Sequence, residues 1–215
     1  MKREIFTQLD NLVTDETILA SSTSFIPPSK FMEHLKHRGN ALVNHPVNPP
    51  YFAPLTELVP SPWTKPETVK LAKKILFDAG SRPIVVKKEV PGFIINRLQD
   101  AIFAEAYNLI EDDVIDVDDL DAVMSEGLGM RYAFMGPWET AHLNANGMIE
   151  YFNKYSQGIY DVQSSFKPIK KMEGPTAKKI IDAMLSKVPM NKLAARRKWR
   201  DEMMIKLSQI KKENK

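Results

Sequence analysis

Apolar positions change their rhythm partway along the chain. Up to Val90 they come in short runs: Thr17 to Ser21, Ala41-Leu42-Val43, Leu58-Val59 and Ile84-Val85-Val86. Turn-forming residues punctuate them: Ser22-Thr23-Ser24, His45-Pro46 followed by Asn48-Pro49-Pro50, and Pro60. Short apolar runs between such clusters predict strands. Between the runs lie segments with helical spacing. Glu4 to Val13 reads as the end of a helix. Thr68 to Ala79 repeats Val69, Ala72 and Leu76 on one face and stops at Gly80. Strands alternating with helices predict a parallel or mixed sheet covered by helices.

After Pro91-Gly92 the pattern turns helical. Ile95, Leu98, Ile102, Ala106 and Leu109 fall on one face at spacings of three and four. Asp118 to Leu128 reads as a helix with acidic residues in its first turn, where they favour the dipole. Residues 137–152 and 176–187 predict further helices, and Leu193 to Ile210 aligns Trp199, Met203, Leu207 and Ile210. The expected architecture is an α/β part over residues 1–90 followed by an all-α part over 91–215, joined near Lys88 to Gly92. A helical part with such apolar stripes also makes a homodimer the expected assembly.

Composition narrows the function classes. The 215 residues are 43% hydrophobic and 27% charged, which suits a globular protein and not a disordered one. No apolar run approaches the ~20 residues that cross a bilayer. Lys2-Arg3-Glu4 follow Met1 with no apolar stretch behind them, unlike a secretory signal. A soluble cytoplasmic protein with no membrane partner is expected. There is no cysteine, which excludes disulfides, zinc thiolates and thiol nucleophiles. The net charge of +3 hides an asymmetry: residues 167–215 carry +10 and residues 1–166 carry −7. A basic end can serve nucleic acid or an anionic ligand. Here acidic residues are mixed among the basic ones, so a solvated helix face is the preferred reading and no nucleic-acid partner is expected.

The candidate chemistry lies in the first hundred residues, at the ends of the apolar runs, where ligands bind in open α/β sheets. Ser24 follows the first run, His45 the second, Asn48 sits in the proline-stiffened turn, Glu57 precedes Leu58-Val59, and Asn96 opens the long helix. His45 and Glu57, twelve residues apart across that turn, can form a hydrogen-bonded pair. The carboxylate would orient the ring and stabilise its protonated form. Imidazole is well matched to taking a proton from an alcohol, and Ser24 and Asn96 could hold the same oxygen. Spacing alone leaves the alternatives open. A histidine before proline is often structural, a Ser/Thr cluster is often a turn or cap, and an early helical Asn often satisfies backbone. His34, His37 and His142 read as ordinary, with His34 and His37 in a solvated segment. No metal ligands are expected.

Several motifs together resemble one family. Ser21-Ser22-Thr23-Ser24, His45-Pro46-Val47-Asn48-Pro49-Pro50, Glu57-Leu58-Val59-Pro60 and Gly92-Phe93-Ile94-Ile95-Asn96-Arg97-Leu98 occur in the order and spacing of the 3-hydroxyacyl-CoA dehydrogenase family. Met124 to Phe134, and Leu193 to Arg197 with Trp199 to Glu202, resemble its lambda-crystallin branch, the L-gulonate 3-dehydrogenases. The resemblance implies a partial Rossmann-like NAD-binding part over 1–90 and a helical 6-phosphogluconate-dehydrogenase-like substrate and dimerisation domain over 91–215. It implies NAD-dependent oxidation of a 3-hydroxy acid, most simply L-gulonate to 3-dehydro-L-gulonate. His45 would be the base, Glu57 its orienting partner, and Ser24 and Asn96 the ligands of the reacting oxygen. Ser24, Asn48 and Lys2 would lie toward the cofactor. Arg131, in the branch-type run, would hold the free carboxylate of a small acid, which an acyl-CoA enzyme does not need to do.

The family opens with a strand, a Gly-x-Gly-x-x-Gly turn and a helix, where the pyrophosphate approaches the backbone. None of the nine glycines here forms that pattern. The chain is therefore expected to be a truncated member with weakened NAD affinity, and to leave an apolar sheet edge uncovered. The alternative function is a non-catalytic, crystallin-like dimerisation module.

Overall fold

The computed structural model describes residues 1–213. The chain divides into two compact units, Met1–Asp100 and Ala101–Lys215. Among the described residues, no helix is long and apolar enough to cross a membrane.

The first unit begins with α1 (Lys2–Asp10) and β1 (Leu19–Ser21). A single helical turn, α2 (Ser29–Met32), leads to β2 (Ala41–Pro46) and β3 (Leu55–Pro60). Then come α3 (Pro66–Asp78) and β4 (Arg82–Val85). The strands form one mixed sheet in the order β1-β2-β3-β4. β1 and β2 are parallel, β2 and β3 antiparallel, and β3 and β4 parallel. β1 is a terminal strand of the sheet. Of its residues Leu19 and Ser21 are buried and Ala20 is exposed.

The period-two rule for strands sorts the core into two layers. Leu42 and Leu58 face one side, where they pack with Ala72 of α3 and the half-buried Leu76 and Ile18. Ala41, Val43 and Val59 face the other, against Phe6 of α1, Phe31 and Met32 of α2, Val86 and Phe93. Residues 45 and 57 continue this second face by the same alternation, so the chemistry lies at the rim of the larger apolar layer.

Asp10, at the end of α1, is buried and accepts hydrogen bonds from the main-chain N–H groups of Lys36 and His37. The His37 ring adds a third, with Nδ1 2.9 Å from Asp10 Oδ1. The segment of His34 and His37 is thus tied to α1, not simply solvated as its charge suggested. A polar cluster in sequence does not show which carboxylate the fold will bring to it.

α4 (Ile95–Glu111) spans the division between the units. Tyr107, Asn108 and Ile110 are buried in its second half and Asn96 near its start, whereas Leu98 and Ile102 of the expected stripe are exposed. Packing, not periodicity alone, selects the buried arc. The second unit continues with α5 (Val117–Ala122), a wider π-type turn over Val123–Leu128, and α6 (Gly129–Tyr132). The single helix expected over 118–128 therefore changes its winding midway. Gly129 permits this, because a Cβ there would stand 2.5 Å from the Met124 carbonyl oxygen.

The helix expected over 137–152 is two helices, α7 (Pro137–Leu143) and α8 (Met148–Ser164). The break is at Gly147, whose φ of +101° lies outside the range of other residues. The His142 ring accepts the N–H of Met148 across it. α9 (Pro175–Lys187) and α10 (Leu193–Glu213) complete the unit. Ion pairs join α9 to the acidic segment after α4: Lys179 with Asp113, and Lys187 with Asp118 and Asp121. The Tyr107 hydroxyl donates to the Glu173 carbonyl at 2.6 Å.

Candidate active site

β2 and β3 are antiparallel, and their register places His45 directly opposite Glu57, one pair beyond Asn44↔Leu58 and two beyond Val43↔Val59. Both side chains therefore leave the sheet on the same face. Glu57 is completely buried and His45 nearly so. His45 Nδ1 lies 2.8 Å from Glu57 Oε2. A ring nitrogen facing a carboxylate is the protonated one, which leaves Nε2 as the acceptor.

The other oxygen of Glu57 is also engaged. Its Oε1 accepts the N–H of Ile94 at 2.8 Å and of Ile95 at 3.1 Å, at the start of α4. All three partners of this carboxylate are donors, as an ionised carboxylate requires when it is out of water. Phe93 packs its ring against the imidazole, with centroids 5.5 Å apart.

Asn96, one residue further along α4, is buried and donates its side-chain N–H to the Ser24 carbonyl at 2.8 Å. The Gly92 N–H reaches the Phe25 carbonyl at 3.2 Å. The loop after β1 is thus strapped to the start of α4. His45, Glu57, Asn96 and Ser24 belong to one network through the turn before α4. Asn48 is exposed beyond the end of β2, in a turn whose Asn48–Pro49 peptide is cis. Lys2 lies on α1, its ammonium 5.9 Å from the centre of the Phe31 ring. Arg131 is exposed on α6, in the second unit.

The sequence motifs pointed to Asn96 but not to its three predecessors. Phe93, Ile94 and Ile95 act through a ring and two backbone amides. They lie inside the Gly92 to Leu98 motif, after the Pro91-Gly92 turn, but neither signal gives them a role.

Which part of a dinucleotide would fit here follows from the strand ends. β1 and β2 run in parallel; β1 ends at Ser21 beside Val43 and β2 runs on through His45 to Pro46, so Ser24 and His45 both lie beyond the paired stretch. Polar groups at the carboxyl ends of parallel strands suit the reactive ring of a nicotinamide. The pyrophosphate needs close backbone approach at a glycine turn opening a helix. Among the described residues no helix opens on a Gly-x-Gly-x-x-Gly turn. The residues present fit the reacting end of the cofactor.

Known proteins resemble the chain over both of its parts. Residues 1–90 match the NAD-binding domain of 3-hydroxyacyl-CoA dehydrogenase, and residues 92–187 match its C-terminal domain. The human lambda-crystallin homolog is 50% identical over 213 residues, 98% of this chain and 67% of that protein. An L-carnitine dehydrogenase from a Pseudomonas species is 31% identical over 95% of this chain and 64% of its own. Among solved structures, 5-formyl-3-hydroxy-2-methylpyridine 4-carboxylic acid 5-dehydrogenase, an NAD+-dependent dismutase, is similar with a TM-score of 0.80. It is 26% identical, and the match covers 97% of this chain and 67% of that one. The chain thus spans about two thirds of the lambda-crystallin relatives it matches. It belongs to the 3-hydroxyacyl-CoA dehydrogenase family, in the lambda-crystallin branch, whose chemistry is the NAD-dependent oxidation of hydroxy acids.

Proposed function

We propose that this chain oxidises a 3-hydroxy acid, L-gulonate, at the substrate hydroxyl, with His45 as the base. The observation that carries this reading is the buried pair of His45 and Glu57, whose atoms Nδ1 and Oε2 are 2.8 Å apart. With Nδ1–H held by the carboxylate, Nε2 is the nitrogen that removes the hydroxyl proton. Glu57 stabilises the imidazolium so formed, and in the reverse direction His45 returns the proton. When bound, NAD supplies the acceptor for the hydride that leaves the same carbon. One N–H of Asn96 is already given to the Ser24 carbonyl, so its remaining amide groups and the Ser24 hydroxyl hold the reacting oxygen. Ser24, Asn48 and Lys2 contribute to the cofactor side.

Arg131 is assigned to the carboxylate of the substrate. Guanidinium pairs with carboxylate bidentately, and the residue lies within the branch-type run. Residues 1–90 would supply the cofactor side, and 91–215 the substrate and dimerisation side. A homodimer is supported by the apolar residues that α8 leaves exposed, among them Ile149, Phe152 and Val162. The same exposed faces favour a second reading, a non-catalytic module that dimerises through its helices.

Calorimetric titration of the folded 215-residue chain with NADH, followed by an L-gulonate oxidation assay, separates the two. Micromolar binding and turnover that His45→Gln abolishes would support the dehydrogenase. A folded chain with neither binding nor turnover would overturn it in favour of the module. Wild-type rates in His45→Gln would show the base to be another residue.

A further inference from the structure

The hydrogen bonds to Glu57 Oε1 come from consecutive main-chain N–H groups, those of Ile94 and Ile95. Two successive amides at a helix start converge on one oxygen when the chain before them turns that end of the helix toward it. Gly92 and Phe93 provide the turn with φ values of +74° and +52°. Glycine enters this region freely, whereas a bulky aromatic residue does so only when its surroundings enforce it. Phe93 is enforced by burial: its side chain is fully enclosed in the layer that holds Val43 and Val59. The same ring meets the imidazole of His45, with centroids 5.5 Å apart and planes at 57°.

One residue thus touches both halves of the pair, His45 through its ring and Glu57 through the amides that follow it. The torsion that turns a carboxylate about its last bond is broad and soft. A Glu57 held only by the imidazole could swing, and the ring with it. We propose that Phe93 is a positioning residue for proton transfer: its left-handed backbone aims Ile94 and Ile95 N–H at Glu57, and its ring fixes the plane of His45. The imidazole is then kept in one tautomer, with Nε2 presented to the substrate. The catalytic consequence rests on the reading of His45 as the base; the geometry does not.

Nitrogen NMR of the 215-residue chain with labelled histidine tests this without turnover, because His45→Gln identifies the His45 signals. Phe93→Leu keeps most of the buried volume but removes the flat ring. It should move the His45 ring signals toward a mixture of tautomers and lower kcat about tenfold with KM unchanged. Ile95→Pro removes one donor at the first helical position, where proline is tolerated, and should move the signals the same way. A third measurement leaves the turn intact. In Glu57→Gln the Ile94 and Ile95 amide protons should shift upfield, because a neutral carboxamide is a weaker acceptor.

Unmoved His45 signals in folded Phe93→Leu and Ile95→Pro would overturn the proposal. So would Ile94 and Ile95 amides that ignore Glu57→Gln, and this holds even if the turn variants fail to fold. A wild-type chain with no turnover but with the expected NMR responses would overturn the dehydrogenase reading and leave the positioning role standing.

Discussion

His45 and Glu57 are direct partners across the antiparallel β2–β3 ladder, and Nδ1 of the first lies 2.8 Å from Oε2 of the second. Glutamine would fit the space left by Glu57, with its carbonyl taking the Ile94 and Ile95 amides. Its NH2 group would then face Nδ1 and force the ring proton onto Nε2, the wrong tautomer for a base. Glu57→Gln is expected to lower kcat by about 10²–10⁴-fold while the chain stays folded. Steady-state kinetics beside a thermal melt would check both parts.

Arg131→Lys keeps the charge but loses the planar fork that pairs with a carboxylate. If Arg131 reads the substrate acid, KM should rise about tenfold or more with kcat little changed, since uniform binding is what is lost. An unchanged KM would free Arg131 from the substrate and make it a structural residue.

Asp10 links acid stability to the first unit. Burial pushes its carboxyl up. The hydrogen bonds from the His37 and Lys36 N–H groups and the His37 ring outweigh this and hold it below the ordinary carboxylate range. A group more acidic when folded contributes stability above its unfolded value of about 3.9. That contribution is lost as pH falls through the lower folded value. Asp10→Asn should therefore cost about 1–3 kcal/mol at neutral pH and make stability less sensitive to acid. Urea denaturation at neutral pH and near pH 3 would show it.

Gly129→Ala puts a methyl group against backbone, not against a side chain that can move. The Met124 carbonyl oxygen would be 2.5 Å away, so the π-type turn must rewind. A loss of about 1–3 kcal/mol is expected. The corresponding drop in Tm should exceed that of Gly127→Ala, because a Cβ at Gly127 meets nothing within 4 Å.

The sequence was most legible where local rules suffice. Short apolar runs between prolines and small polar residues identified β1 to β4, and helical spacing between Gly80 and its upstream apolar residues identified α3. His45, Glu57, Ser24 and Asn96 could be named because they are side chains of chemically distinctive types in ordered motifs. The helices of the second unit were less legible. Gly147 breaks one expected helix, and Gly129 changes the winding of another. Both effects depend on backbone geometry that a hydrophobic pattern does not encode.

By itself, then, the sequence determined the α/β-then-α order and which side chains are candidates for chemistry, because periodicity and residue chemistry are local properties. Only the tertiary structure decided that residues 45 and 57 face each other, since that depends on the β2–β3 register. It also decided that Phe93, Ile94 and Ile95 serve the pair and that His37 meets Asp10. These relationships arise from buried backbone amides and long-range contacts. Their cause is the need to satisfy every polar group that the apolar layer encloses, and that need appears only once the chain has closed around them.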